Sequence, residues 1–205
     1  MIQPPLVLAT RSPRRIRLIA GLGIPFRLLH IKFREHFPGL PVEEAARLLA
    51  WRKAETASRA VGRGIVVTAD TIVAIDGTLL GKPRSRPDAV AMLTHLSGKT
   101  HEVVTAVALK DARTGCGILG SERSLVTFRR LSRPAINRYA ETGEPMDKAG
   151  GYGIQGKGRE LISRIRGDYF NVVGFPMRLF ATLGTRFGLR IPAHRIEALY
   201  RRPPL

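Results

Sequence analysis

Apolar positions along the chain fall into short runs and helical spacings that alternate irregularly, with turn residues between them. Leu6–Ala9 is a short apolar run. Ser12-Pro13 then supplies an N-cap and a first-turn proline for a helix carrying Ile16, Ile19, Ala20 and Leu22, which Gly21 and Gly23 stop. Phe26–Ile31 predicts a strand. The segment Pro41–Val61 predicts a helix, with Glu43 and Glu44 in its first turn and Leu48, Leu49 and Trp51 inside. Ile65–Ala69 and Ile72–Ile75 read as strands flanking Asp70-Thr71, and Asp76-Gly77 reads as a hairpin turn. Pro87–Leu96 has helical spacing, with Gly98 placed as a C-terminal cap.

A strand pair follows, His101–Leu109 and Ser124–Leu131, joined by a turn around Arg113–Gly117; Ser132–Thr142 reads as another capped helix. Asp147–Gly158 is a glycine-rich loop, Leu161–Ile165 a strand and Pro176–Phe187 a proline-opened helix. Hairpin and crossover connections both occur, so the fold class is α/β with a mixed sheet. With no fixed-period repeat and no low-complexity divider, residues 1–192 are expected to form a single domain and 193–205 a basic tail.

Composition changes this picture in one respect. The 205 residues include 34 Lys+Arg against 16 Asp+Glu, a formal net charge of +18, which calls for an anionic partner. Most of the basic residues are Arg, suited to bidentate phosphate contacts, but they are dispersed rather than gathered into a basic arm. Dispersal favours a phosphate-substrate enzyme over a nucleic-acid binder, although both classes stay open. No run approaches the roughly 18 apolar residues of a membrane helix, no signal-peptide pattern opens the chain, and the single Cys116 has no disulfide partner. A cytoplasmic protein is expected.

Four segments join charge to tight-turn chemistry. Thr10-Arg11-Ser12-Pro13-Arg14-Arg15 places hydroxyls and guanidiniums at a helix start, either an anion site or an ordinary capped helix with solvated arginines. Asp70 between apolar strands is costly unless used or paired, which suits metal coordination or water activation, or else a buried Asp capping a bulge. In Gly81-Lys82-Pro83 a lysine offers a point charge to phosphate. Asp147–Gly156 contains glycines that allow close backbone approach to a ligand, and Gln155 brings an amide donor and acceptor. A P-loop, a strand-linked dinucleotide fingerprint, histidine zinc spacing and a nucleophile elbow are all missing from the sequence.

In this order the segments resemble the Maf family of nucleoside triphosphate pyrophosphatases. Leu8–Arg15, Ala69–Val73 through Gly81-Lys82-Pro83, Leu96–Thr105, Gly143–Gly156 and Val172–Pro176 carry the resemblance, which spans nearly the whole chain up to Arg190. It implies an elongated Maf/ITPase-like α/β fold, with a mixed central sheet and two lobes around a cleft, in a homodimer. It also implies hydrolysis of a nucleoside triphosphate between the α and β phosphates with a divalent cation (Mg, Mn or Co), as house-cleaning of the nucleotide pool with a link to cell division.

By the same resemblance Asp70 is the proton acceptor and, with Glu35, a metal ligand. Thr10, Ser12, Arg14, Arg15, Lys53, Thr71, Lys82, Lys148 and Gln155 are substrate-binding. Arg14, Thr71 and Gln155 together resemble the branch acting on dTTP and UTP, where a neutral amide suits the uracil or thymine edge. Thr10 stands where the family commonly has Ser, Arg52 where an acidic or amide residue precedes Lys53, and Phe175 where a Leu is usual. The rival reading is a basic nucleic-acid-binding or division-regulating interaction protein without turnover.

Overall fold

A computed structural model describes residues 5–33 and 39–201. Seven strands form one mixed sheet: β1 (Leu6–Ala9), β2 (Phe26–Leu29), β3 (Ile65–Ile75), β4 (Thr78–Leu80), β5 (Thr100–Asp111), β6 (Gly117–Phe128) and β7 (Ile162–Arg166), in the order β2-β1-β3-β5-β6-β7 with β4 on β3. The helices are α1 (Pro13–Gly21), α2 (Val42–Val61), α3 (Arg86–Leu96), α4 (Arg133–Glu141), α5 (Tyr169–Val173), α6 (Met177–Arg186) and α7 (Ala193–Arg201). The mixed α/β class expected from the sequence is the class observed.

Strand β3 decides where the cleft lies. One of its edges pairs with β5 continuously from Ile65 to Ala74. The other is shared, Ile65–Val67 with parallel β1 and Val73–Ile75 with antiparallel β4. Between those partners, Thr68–Ile72 pairs with no strand on that edge among the described residues, so the sheet forks there. Alternation along β3 sends Thr68, Asp70 and Ile72 toward α2, where the Thr68 hydroxyl donates to the Ala50 carbonyl at 2.7 Å, and Ala69, Thr71 and Val73 toward the opposite layer.

The sequence divided this strand in two because Asp70-Thr71 interrupts its apolar run; the structure carries it straight through. A strand covered by helices on both faces is buried along its whole length, and only Thr71 is half-buried. The expected Asp76-Gly77 turn is present, both residues having positive φ (50° and 74°), as a tight hairpin between β3 and β4 requires. Strand β6 begins at Gly117 rather than Ser124, since its first half pairs with β5 directly from the expected turn.

The main core lies on the α1 and α6 side, around Phe128, Phe170, Phe175 and Phe180, while the small residues Ala45, Ala46, Ala50 and Ala54 let α2 approach the other face closely. Residues 193–201, read from sequence as the start of a basic tail, form α7. Its Ile196 is 3% exposed, and Tyr200 packs edge-on to Phe170 while donating to the Asp168 carboxylate that caps α5.

His101 on β5 is buried between Phe128 and Tyr152, its Nε2 2.7 Å from the Tyr152 hydroxyl. Burial lowers its pKa from 6.5 to about 4 and raises that of Tyr152, so at neutral pH both are uncharged. Between pH 6.5 and about 4 the unfolded chain takes up a proton here that the folded chain refuses. Stability present above pH 6.5 is therefore lost as pH falls through that window, by about 3–4 kcal/mol at roughly 1.4 kcal/mol per pH unit. Urea denaturation followed across the window is expected to show this decline, and His101→Gln to flatten it.

Candidate active site

The fork opens into a cleft of about 490 Å³, and all ten of the described residues singled out from the sequence line it: Thr10, Ser12, Arg14, Arg15, Lys53, Asp70, Thr71, Lys82, Lys148 and Gln155. Glu35 lies outside the described residues. Several chain segments reach the cleft for separate local reasons. Thr10 ends β1, its N–H donating to Leu29 O at 3.1 Å, and its hydroxyl accepts from the Ser12 N–H at 3.1 Å. Helix α1 starts at Pro13, and the Ser12 side chain makes no capping bond to it. This helix start opens on the cleft, where its dipole favours an anion.

On the α2 side of β3, Asp70 is 5% exposed and forms a hydrogen-bonded ion pair with Lys53 from the middle of α2. The cost of burying that carboxylate is offset by the ammonium beside it. Lys53 also stands 5.4 Å from the centre of the Phe33 ring.

Arg15 works on the opposite side of β3. Its Nε donates to Gly174 O at 2.8 Å, one terminal nitrogen to Ala69 O at 2.8 Å, and the other to the Thr71 hydroxyl at 3.0 Å. One guanidinium therefore serves the backbone that no strand claims at the fork and ties α1, β3 and the end of α5 together. From Thr71 the bonding continues inward: its hydroxyl meets Thr105 Oγ1 at 2.9 Å, which donates to Asn171 O at 2.9 Å. Arg15, expected as a phosphate ligand, lines the cleft and also braces its wall.

The rim opposite α1 is built by the glycine-rich segment, in which three short 3-10 turns (Glu144–Asp147, Ala149–Gly151 and Gly156–Leu161) replace the expected loop. The Gly150 N–H donates to Gly81 O at 3.0 Å, joining this rim to the Lys82 turn. Lys148 donates to Asp147 at 2.6 Å and to Glu144 O at 2.7 Å. Arg14 approaches Asp147 at 3.6 Å from the other rim. Burial raises the Asp147 pKa, but the Lys148 bond and charge, with Arg14, outweigh it and hold the carboxyl below its ordinary range. Asp147 was quoted in the sequence motif without a role; only tertiary contact reveals that it spans both rims.

Among the described residues six cationic side chains (Arg11, Arg14, Arg15, Lys53, Lys82, Lys148) thus line the cleft against two acidic ones, Asp70 and Asp147. Beside Gln155 the lining turns apolar, through Tyr152, Ile154, Val172 and Val173, and Gln155 itself hydrogen-bonds the Tyr169 hydroxyl. The site therefore combines cationic groups suited to a polyanion with apolar lining and one neutral amide.

The profile of the Maf-like protein family matches residues 5–187. The chain belongs to that family. It is 47% identical over 181 residues to the dTTP/UTP pyrophosphatase of Syntrophomonas wolfei, covering 87% of this chain and 96% of that one. It is 47% identical to the dTTP/UTP pyrophosphatase of Symbiobacterium thermophilum (91% and 95% covered) and 46% identical to that of Alkaliphilus oremlandii (91% and 98%). The Staphylococcus aureus Ham1 protein covers 77% of this chain and 79% of its own at a TM-score of 0.46 and 16% identity, a likeness too loose to carry an argument. The family match ends before α7, so the Tyr200–Asp168 contact lies partly outside the matched region.

Loss of the Arg15 brace is expected to register as stability. Arg15→Met leaves the Ala69 and Gly174 carbonyls without this donor and is expected to cost about 2–3 kcal/mol in urea denaturation, with Arg15→Lys falling between it and the parent.

Proposed function

We propose that this chain hydrolyses dTTP and UTP to the nucleoside monophosphate and pyrophosphate. The observation that carries the reading is the convergence, in one cleft, of six cationic side chains and a helix start around the buried Asp70–Lys53 pair. A triphosphate is the polyanion that fits such a basic region, and the similarity to dTTP/UTP pyrophosphatases agrees with it.

In this mechanism the triphosphate lies against the α1 start, Arg14, Lys82 and Lys148, which neutralise charge that grows on the departing pyrophosphate. Asp70 accepts a proton from the attacking water as the water oxygen bonds to phosphorus. The α–β anhydride bond breaks, and the leaving pyrophosphate takes its electron pair. Lys53 holds Asp70 in position and places positive charge beside the reacting phosphates. Gln155 and the apolar lining receive the base, the amide pairing with the N3–H and a carbonyl of uracil or thymine.

The residues suit a divalent cation. Asp70 supplies a carboxylate in a cleft meant for phosphates, and Mg²⁺ is characteristically held by one or two carboxylates together with substrate phosphate oxygens. By the family resemblance Asp70 and Glu35 are the protein's contribution to that shared mode. When bound, Mg²⁺, Mn²⁺ or Co²⁺ supplies charge neutralisation and makes water more acidic. A homodimer and a link to division belong to the same reading and rest on the family resemblance; a cytoplasmic setting rests on the sequence pattern and the single cysteine. No helix among the described residues is long and apolar enough to cross a membrane.

Pyrophosphate release from a panel of canonical and modified nucleoside triphosphates, with each of the three cations, tests the reading. Turnover is expected to be greatest with dTTP and UTP. Asp70→Asn is expected to lower kcat by about 10²–10⁴-fold with little change in nucleotide binding. A fully active Asp70→Asn protein refutes the base assignment. Absence of turnover on every nucleotide, alongside DNA affinity that falls steeply with salt, favours the basic interaction-protein reading instead.

A further inference from the structure

Tyr139 and Glu144 do not line the cleft, yet the segment that presents Gln155 is pinned by them at both ends. The Tyr139 hydroxyl accepts from the Gly153 N–H at 3.1 Å and donates to the Glu144 carboxylate at 3.0 Å. That carboxylate then accepts from the Lys157 and Gly158 N–H groups, each at 3.2 Å. Burial, the largest influence on Tyr139, keeps its hydroxyl protonated and so able to donate. Glu144 is itself held, its N–H donating to the Thr142 hydroxyl at 3.1 Å, which donates to Tyr139 O at 2.7 Å.

The clamp leaves almost no room. A Cβ on Gly158 would stand 2.2 Å from Gly153 O and 2.6 Å from the Tyr139 hydroxyl, and one on Gly156 would meet Glu144 at 3.0 Å. The two ends of the loop are thus drawn against each other, and Ile154-Gln155-Gly156 is the part left to project. Ile154 is buried, which fixes the side from which Gln155 reaches the cleft.

We propose that Tyr139 and Glu144 are positioning residues for base discrimination: by clamping Gly153 to Lys157-Gly158 they hold the Gln155 amide in register with the nucleobase. This rests on Gln155 contacting the base. Of the phosphate-binding residues Lys148 touches the clamp, but it donates to the Glu144 backbone carbonyl, which side-chain substitutions keep, so loosening the clamp moves base recognition and leaves bond cleavage largely in place.

Steady-state kinetics on dTTP and dGTP test this with Tyr139→Phe, Glu144→Ala, Glu144→Gln and Gln155→Ala. The measured quantity is the ratio of kcat/KM for dTTP to that for dGTP on the same sample, in which any unfolded fraction cancels. Tyr139→Phe and Glu144→Ala are expected to reduce the ratio about 10–100-fold, the change expected when a recognition group is displaced by about 1 Å, and to do so through the dTTP KM with kcat nearly kept. Glu144→Gln, which keeps one acceptor oxygen, is expected to lie between Glu144→Ala and the parent. If Gln155→Ala lowers the ratio while Tyr139→Phe and Glu144→Ala leave it at the parent value, the clamp has no part in specificity and the inference is overturned. If Gln155→Ala leaves the ratio unchanged, the reading of Gln155 fails first and the clamp inference falls with it.

Discussion

The site depends on a gap in hydrogen bonding. Strand β3 offers backbone groups along two edges, and on one of them two short partners, β1 and β4, take the ends and leave the middle. Backbone polar groups withdrawn from water need partners. Arg15 fills the need with a side chain instead of a strand, donating to Ala69 O and Gly174 O at once. A guanidinium can do this because its donors are fixed in a planar fork. The same gap that requires the brace gives a ligand access to Asp70, so the structural problem and the binding site are one feature.

Electrostatics follow from that geometry. Loops and a helix start gather around the fork because they must connect the elements that flank it, and six of the chain's basic side chains come with them. Asp70 and Asp147 keep the group from being uniformly repulsive, the first paired with Lys53 and the second spanning Lys148 and Arg14. Such an arrangement holds together without a ligand while retaining an excess of positive charge for one. Most of the +18 net charge lies outside the cleft, where nothing in the fold assigns it a task.

The glycine-rich segment shows that glycine content does not imply looseness. Gly150 sits at φ 71° with the place of its Cβ 3.0 Å from Val73, and Gly158 is crowded by Gly153 and Tyr139. These positions lack side chains because backbone and neighbours already occupy the space. The result is a rim of 3-10 turns whose tip carries Gln155 at a fixed place.

Much of the protein was legible in its sequence. Periodicity and punctuation located α1, α2, α3, α4 and α6, the Asp76-Gly77 hairpin turn and the short strands β1, β2 and β7, because helix caps, prolines and alternation act over a few residues. The ordered motifs identified the family and the residues that meet in the cleft. What sequence misjudged were features set by distant contact. Asp70-Thr71 looked like a break in β3, yet pairing with β5 carries the strand through. Residues 193–201 looked peripheral until Ile196 and Tyr200 found the core. That Arg15 also braces Ala69, Thr71 and Gly174 could not be read from the sequence, because those residues lie 54, 56 and 159 positions away in the chain. The sequence by itself determined the local elements, the family and the chemistry that the cleft would hold. The tertiary structure alone decided which charged groups spend themselves on one another and which stay turned toward a ligand, since that depends on side chains meeting across a fold whose short-range signals do not record the meeting.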